Sequence, residues 1–405
     1  MDDNARYAVG LDVGTENVRA VVASVSKDGK ISVVGYNELK NSGMRKGVLV
    51  NLAGPADAID KMLGEVERMS GYEIRSATVS VNGTHILTTK TEGMIAVGTQ
   101  EHEINEEDLY RVEDVAVTGR VPANREILDV IPFGYSIDGQ EEVRDPVGMT
   151  GARLEMKANV VSALLPNTVN LKKALEGAKL ETERLVPSVV AGARAVLTEK
   201  QKENGVVVVD FGAATTSVAI FEEGDLQYVG VVPAGSNNIT NDLAICLEIN
   251  TDVADEIKKR YVTGSFTGEK DVVIKINREE LKFEREKVNE VVKARLDEIF
   301  EKVKRELRKA GYEKRLPEGA VLIGGGAKMR DIEVFAKEAL EMSVKIGAPE
   351  GFSGVANAVE KPEYAAAVGL MLYSLENEGR KSVPGKKKSG KTESFLGNLL
   401  KKFRF

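Results

Sequence analysis

The sequence predicts an α/β protein of two lobes, each built on a strand–turn–strand unit that the chain uses twice. Three observations carry this. Ala8 to Ala23 (AVGLDVGTENVRAVVA) and Val206 to Phe221 (VVVVDFGAATTSVAIF) share an apolar run ending in Asp, a Gly two residues on, a Thr and a second apolar run. The chain has 405 residues, more than one hydrophobic core supports. Around both copies, strand-like and helix-like periodicities alternate.

Residues 24–84 read as strands, a helix from Pro55 to Ser70 and a strand from Ala77 to Val81. Thr88 to Ala163 mixes a charged helix (Asn105 to Thr118) with extended segments, the pattern of a small α+β insert. After the second copy, Ile239 to Leu247 and Val253 to Tyr261 read as helices. Arg278 to Gly311 reads as one highly charged helical stretch. Gly319 to Met329 (GAVLIGGGAKM) is a buried strand entering three glycines. Small residues dominate Val189 to Val196 and Ala365 to Gly369, which suits two closely crossing helices. From Asn377 to Lys391 the chain is polar and rich in Gly and Lys, a flexible linker.

Composition is that of an ordinary globular protein, with 29% charged and 42% hydrophobic residues. No apolar run reaches membrane-spanning length, and no N-terminal leader pattern is present. Cys246 is the single cysteine, so an internal disulfide and a cysteine-rich metal site are excluded; its helical context predicts a buried structural thiol. His85 and His102 are the two histidines, which leaves carboxylates, backbone amides and magnesium to carry any chemistry. From Arg380 to Phe405 nine basic residues face Glu393 alone, a charge of +8. Since the whole chain carries −7, residues 1–379 carry −15. An acidic body with a basic tail does not fit nucleic acid; the tail suits an anionic surface.

A strand ending in Asp and followed by Gly and Thr holds a magnesium polyphosphate well. Glycine permits close backbone approach, the threonine hydroxyl and amides face phosphate, and aspartate faces the metal through water. One such hairpin is weak evidence. Two, with Asp12 and Asp210 as the paired metal-facing carboxylates, form a nucleotide site once the Gly324-Gly325-Gly326 turn is added to approach the nucleoside. Asp255 and Lys258, one helical turn apart, then reach a ribose.

These residues resemble the superfamily of actin, heat-shock chaperones and sugar kinases, and within it the FtsA family of bacterial actin-like cell-division proteins. The most specific stretch is REILDVIPFGYSIDGQEEVRDPVGMTGARLE (Arg125 to Glu155). MRKGVLVNL (Met44 to Leu52), VVPAGSNNITNDLAICL (Val231 to Leu247) and the C-terminal segment agree, and the resemblance runs from Tyr7 to Phe405. It implies an actin-like two-lobed ATPase fold of duplicated ribonuclease-H-like domains. Subdomain IA would comprise residues 1–84, 166–190 and 362–378, and an SHS2-like IC insert residues 85–165. IIA would take 191–253 and 318–361, and IIB 254–317. The implied nucleotide set is Asp12, Gly14, Thr15, Glu16, Asn17, Asp210, Gly212, Ala213, Thr215, Thr216, Gly235, Asn238, Asp255, Lys258, Gly324, Gly325, Gly326 and Met329, with ATP and Mg2+ as cofactors. The resemblance also implies protofilaments of the chain with itself, other divisome partners on IC, and the C-terminal peptide of FtsZ held on IIB by Arg285 and Arg295.

Two departures bear on hydrolysis. The second hairpin has Ala213 and Ala214 where the family commonly has glycines, and Ser217 where it commonly has a carboxylate. Val186 stands where many relatives place a glutamate able to orient water, so slow or negligible turnover is expected, a loss of ~10²–10⁴ in rate. A small-molecule kinase lacks a recognisable second carboxylate site here. A PilM-like pilus-assembly adaptor shares the body and, held by a membrane protein's cytoplasmic peptide, would keep its localisation without residues 392–405.

That tail reads ESFLGNLLKKFRF from Glu393. On a helix, Phe395, Leu396, Leu399, Leu400 and Phe403 fall within an arc of about 140°, opposite Lys401, Lys402 and Arg404, with Ser394 as N-cap. Residues 379–393 form the basic linker and 394–405 the helix. It is too short to span a bilayer and would lie in the interface of anionic lipid; the resemblance implies the cytoplasmic face of the membrane at the septum.

Overall fold

The computed structural model describes residues 6–266, 271–276 and 279–381. The chain opens on a meander, β1 (Arg6–Val13), β2 (Asn17–Val25) and β3 (Ile31–Lys40), followed by a short pair, β4 (Met44–Arg45) and β5 (Val48–Leu49). Helix α1 (Ala53–Ser70) buries Ile59, Met62 and Val66 on the meander and stops at Gly71, whose φ of 67° closes it in the left-handed conformation. Strand β6 (Ser76–Val81) then runs parallel to β1.

The insert follows: β7 (Leu87–Ala96), α2 (Glu106–Val117), β8 (Arg125–Ile137), β9 (Gln140–Val143) and β10 (Arg153–Leu164). Its sheet, ordered β7-β10-β8-β9, is antiparallel throughout and encloses its own core of Leu109, Val112, Leu154 and Met156. Asn105 Oδ1 accepts from the amides of Glu107 (2.8 Å) and Asp108 (3.3 Å), which starts α2 where its sequence predicts. The chain returns through α3 (Leu165–Gly177), β11 (Glu181–Pro187), α4 (Ser188–Val196) and α5 (Glu199–Asn204).

The second lobe repeats the plan. Strands β12 (Val206–Phe211), β13 (Thr216–Glu222) and β14 (Asp225–Val232) form its meander, and α6 (Ser236–Cys246) and α7 (Thr251–Tyr261) follow. A hairpin, β15 (Val272–Ile276) and β16 (Glu279–Phe283), leads into α8 (Arg285–Ala310). After it come β17 (Ala320–Ile323), α9 (Ile332–Leu340), β18 (Val344–Ile346), β19 (Ser353–Gly354) and α10 (Ala365–Lys381). The sheets are ordered β11-β6-β1-β2-β3-β19 and β14-β13-β12-β17-β18: an antiparallel meander extended by parallel strands in each. Their central strands are buried along nearly their whole length, as strands covered on both faces must be.

Helices α4 and α10 pack on each other between the sheets, and their small residues are a steric requirement. A Cβ on Gly369 would stand 1.7 Å from the Ala191 carbonyl oxygen, and one on Gly10 would stand 2.1 Å from that of Ala367. The close crossing read from the sequence is therefore present.

Three expectations change. The charged stretch from Arg278 is not helical from its start: Glu279–Phe283 pairs with β15, and the helix begins at Arg285. The linker does not begin at Asn377, because α10 continues to Lys381. Cys246 is exposed rather than buried, since it ends α6 on the rim of a groove against α8, beside Ile245 at 74% exposure. The amphipathic segment with Phe395, Leu396, Leu399, Leu400, Lys401, Lys402 and Phe403 lies outside the described residues.

Candidate functional site

A cleft of about 620 Å³ opens between the lobes, with the two Asp-x-Gly turns facing each other across it. The turns are closed in the same way: Gly14 N–H donates to the Asn17 carbonyl and Gly212 N–H to that of Thr215, each at 3.0 Å. A Cβ would sit 2.7 Å from the first oxygen and 2.9 Å from the second, so close approach keeps both positions glycine. Ala213 and Ala214 follow without any positive φ. The Thr15 hydroxyl accepts from Gly47 N–H at 2.9 Å, which leaves its proton for an acceptor in the cleft.

Asp12 is buried at the end of β1, and its Oδ1 has no hydrogen-bond partner. Burial pushes its pKa up, partly offset by the Arg19 guanidinium and the Ser80 hydroxyl. Burial, and then the charge on Asp12, pushes Asp210 up to about 6. Ser188 Oγ stands between Asn82 Oδ1 and Asp210 Oδ2, 3.1 Å from the latter. The glycine turn completes this end: Gly324 has φ +86°, and a Cβ there would lie 2.3 Å from Asp210 Oδ1. Buried Asp12, with its orphaned oxygen, and half-buried Asp210 repel each other and fit a hydrated divalent cation. Among the described residues no group of three or more His, Cys, Asp or Glu could hold a metal alone, so the pair would need water and a ligand's oxygens to complete the shell.

The other wall is polar and paired. Lys258 Nζ donates to Asp255 Oδ1 at 2.8 Å and to Thr240 Oγ1 at 2.7 Å. Burial opposes ionisation of Asp255, but Lys258 and Lys259 hold its pKa below the usual range. Glu16 is likewise held low against its burial by Lys40, Asn237 and Lys258, an interaction that reaches from the first lobe to the second.

Most residues expected from the sequence meet here: Asp12, Gly14, Thr15, Glu16, Asn17, Asp210, Gly212, Ala213, Thr215, Asp255, Lys258, Gly324, Gly325, Gly326 and Met329 line the cleft. Thr216, Gly235 and Asn238 stand behind its wall. The Thr216 hydroxyl donates to the Ala234 carbonyl at 2.8 Å, and Asn238 Oδ1 accepts from Gly235 N–H at 3.0 Å. Val186 is buried in the core and takes no part. Reading the sequence missed Arg19, Ser188, Lys328 and Glu363, which also line the cleft. Arg19 was accessible in principle, since it sits opposite Asp12 in the hairpin register. The pair of Lys328 Nζ and Glu363 Oε1, at 2.7 Å, joins segments distant in sequence and gives no local signal.

Comparison with known proteins decides the family. A model described as "Cell division protein FtsA" matches residues 207–369, and one described as "SHS2 domain inserted in FTSA" matches residues 83–162. The chain is 37% identical over 380 residues to cell division protein FtsA of Pseudomonas aeruginosa, covering 93% of this chain and 91% of that one. The chain belongs to the FtsA family. FtsA proteins of Bacillus subtilis and Escherichia coli are 32% and 31% identical, with 94% and 92% of this chain covered and 87% and 91% of theirs. Among solved structures, the PilM-PilN type IV pilus biogenesis complex matches with a TM-score of 0.65 at 18% identity, over 91% of this chain and 98% of that one. MreB5 of Spiroplasma citri bound to ADP matches at 0.55 and 13% identity, over 93% and 99%. The fold is therefore actin-like, with the FtsA insert in its first lobe.

In this FtsA-family chain Arg285 and Arg295 of α8 are already engaged. Arg295 binds Asp242 through Nε (2.5 Å) and Nη2 (2.9 Å) and also pairs with Glu298. Arg285 Nη1 donates to the Tyr261 carbonyl at 2.6 Å, with its guanidinium 5.8 Å from the Tyr261 ring centre. Arg295 borders a groove of about 400 Å³ floored by Ile245, Val291 and Ala294. Among the described residues no helix is long and apolar enough to cross a membrane.

Proposed function

We propose that this FtsA-family chain binds Mg-ATP in its cleft, assembles with copies of itself on the cytoplasmic membrane at the septum and tethers FtsZ filaments there. The observation that carries the reading is the opposed pair of buried Asp12, with its unpartnered carboxylate oxygen, and half-buried Asp210. A magnesium ion held by them through water would neutralise charge on a polyphosphate, while the Gly14 and Gly212 turns and the Thr15 hydroxyl supply donors. Asp255 and Lys258 would face the ribose, and Gly324, Gly325, Gly326 and Met329 the nucleoside. With Val186 in the core and no carboxylate in its place, the residues present hold a nucleotide better than they activate water. ATP thus acts as a conformational ligand with slow turnover.

The subdomains are read as IA (1–84, 166–190, 362–378), IC (85–165), IIA (191–253, 318–361) and IIB (254–317), with IC free for other divisome proteins. The FtsZ C-terminal peptide would lie along α8 and place an apolar side chain near Ile245. Its carboxylates would displace Asp242 and Glu298 from Arg295 and meet Arg285 at the other end. The 394–405 segment would hold the assembly on anionic lipid, weakly for one copy and firmly for a filament that presents many.

Co-sedimentation with anionic liposomes tests this. The full chain with Mg-ATP should pellet and carry an FtsZ C-terminal peptide with it, and removal of residues 392–405 should abolish pelleting. Pelleting that survives the truncation would refute the tether and favour a PilM-like adaptor.

A further inference from the structure

The insert is rooted in the first lobe, between β6 and α3, yet it also grips the second. Strand β14 is the outer strand of the second sheet. Thr88 of the insert accepts from Val229 N–H at 2.8 Å, and its hydroxyl also faces the Val229 carbonyl at 3.4 Å. Asn159 Nδ2 donates to the Leu226 carbonyl at 3.2 Å and to Gln227 Oε1 at 3.4 Å. Insert side chains thus take hydrogen bonds that another strand would take at this edge. Leu128, Ile131 and Val161 of the insert share one buried cluster with Leu226 and Val229 of β14.

Asn159 has no evident role within the insert. It is fully buried, and its Oδ1 has no hydrogen-bond partner. An apolar side chain would avoid that desolvation cost, so the amide serves β14.

The other end of β14 is fastened to the cleft. Beyond Val232 the chain turns through Gly235, where a Cβ would lie 2.6 Å from the Gly212 carbonyl oxygen. Ser236 N–H donates to Gly212 O at 2.9 Å and Asn237 N–H to Ala213 O at 2.8 Å. The second phosphate-facing turn therefore cannot shift without moving Gly235, and β14 is the strand directly joined to it.

We infer that Asn159 and Thr88 are positioning residues that couple the insert to ligand occupancy of the cleft through β14. The lobes cannot rotate about the α4–α10 crossing without loading these bonds, because the insert is joined to both. This inference rests on the nucleotide reading above. A surface on the insert would then be presented differently in the free and nucleotide-bound chain.

The test is amide hydrogen exchange on the full chain with and without Mg-ATP, with binding followed separately by titration. In the unaltered protein, nucleotide should slow exchange in segments 87–96 and 224–232 by at least about fivefold, the lower end of ordinary coupling. Thr88→Val, nearly isosteric and remote from the cleft lining, and Asn159→Ala should each bind Mg-ATP as the unaltered protein does and retain protection at both Asp-x-Gly turns. In both variants the response of segment 87–96 should be lost. An unresponsive insert in unaltered protein that binds nucleotide overturns the coupling and leaves the cleft reading standing. A full response in Thr88→Val overturns it as well. Absence of binding in the titration overturns the cleft reading and the coupling together.

Discussion

Replacing Asp210 with asparagine should stabilise the ligand-free protein while weakening its response to Mg-ATP. Asp210 has its pKa raised from 3.8 to about 6, first by burial and then by Asp12. A carboxyl raised in the folded state favours folding fully below the unfolded value, and that advantage is lost as pH rises through the folded value. At about pH 7.5 the ionised group therefore costs the native state up to ~3 kcal/mol, an upper figure because cleft water screens a side chain at the cleft wall. Asparagine keeps an oxygen for the Ser188 hydroxyl and carries no charge. Thermal melts in EDTA should show the variant roughly 1–4 °C more stable at about pH 7.5, with the gain shrinking below about pH 6 and absent below about pH 3. With saturating Mg-ATP the unaltered protein gains ~2.7 kcal/mol at a hundredfold excess over Kd, and the variant should lose most of that. A variant that is less stable than the unaltered protein in EDTA at about pH 7.5, or a gain that does not change with pH, would contradict a destabilising charge on Asp210.

Gly369→Ala places a methyl 1.7 Å from the Ala191 carbonyl oxygen, so α4 and α10 must separate; urea unfolding should show a loss of ~1–3 kcal/mol or more. Gly324→Ala meets both a φ of +86° and the Asp210 carboxylate at 2.3 Å, and titration should show nucleotide affinity reduced more than tenfold. Glu113, on α2, is pushed up to about 7 by burial and then by Asp129 and Asp114. The stability its neutral form favours is lost as pH rises from about 4.5 through 7, so Glu113→Gln should gain ~1–3 kcal/mol at about pH 8 and nothing below about pH 4 in urea titrations.

What the sequence made legible is local. The duplicated hairpins, the buried runs of β1 and β12 and the capped start of α2 each follow from a short pattern with one physical cause. Thr216 shows where a pattern was over-read: adjacent threonines in an extended chain point to opposite sides, so Thr215 faces the cleft and Thr216 bonds behind it. The β15–β16 hairpin escaped notice because EELKF carries the charge density of the helix that follows, and its strand state depends on a partner. Cys246 escaped because a helix's last residues need not share its buried face. Ser188, and the pair of Lys328 and Glu363, depend on tertiary approach that no spacing records.

The proposed function requires that Asp12 and Asp210 jointly hold a magnesium polyphosphate. Equilibrium titration with fluorescent ATP, with and without Mg2+, on the unaltered chain and on Asp12→Ala and Asp210→Ala tests it most directly. Saturable binding that requires Mg2+ and falls at least tenfold in each variant is the predicted result. Binding indifferent to Mg2+ and unchanged in both variants would contradict it.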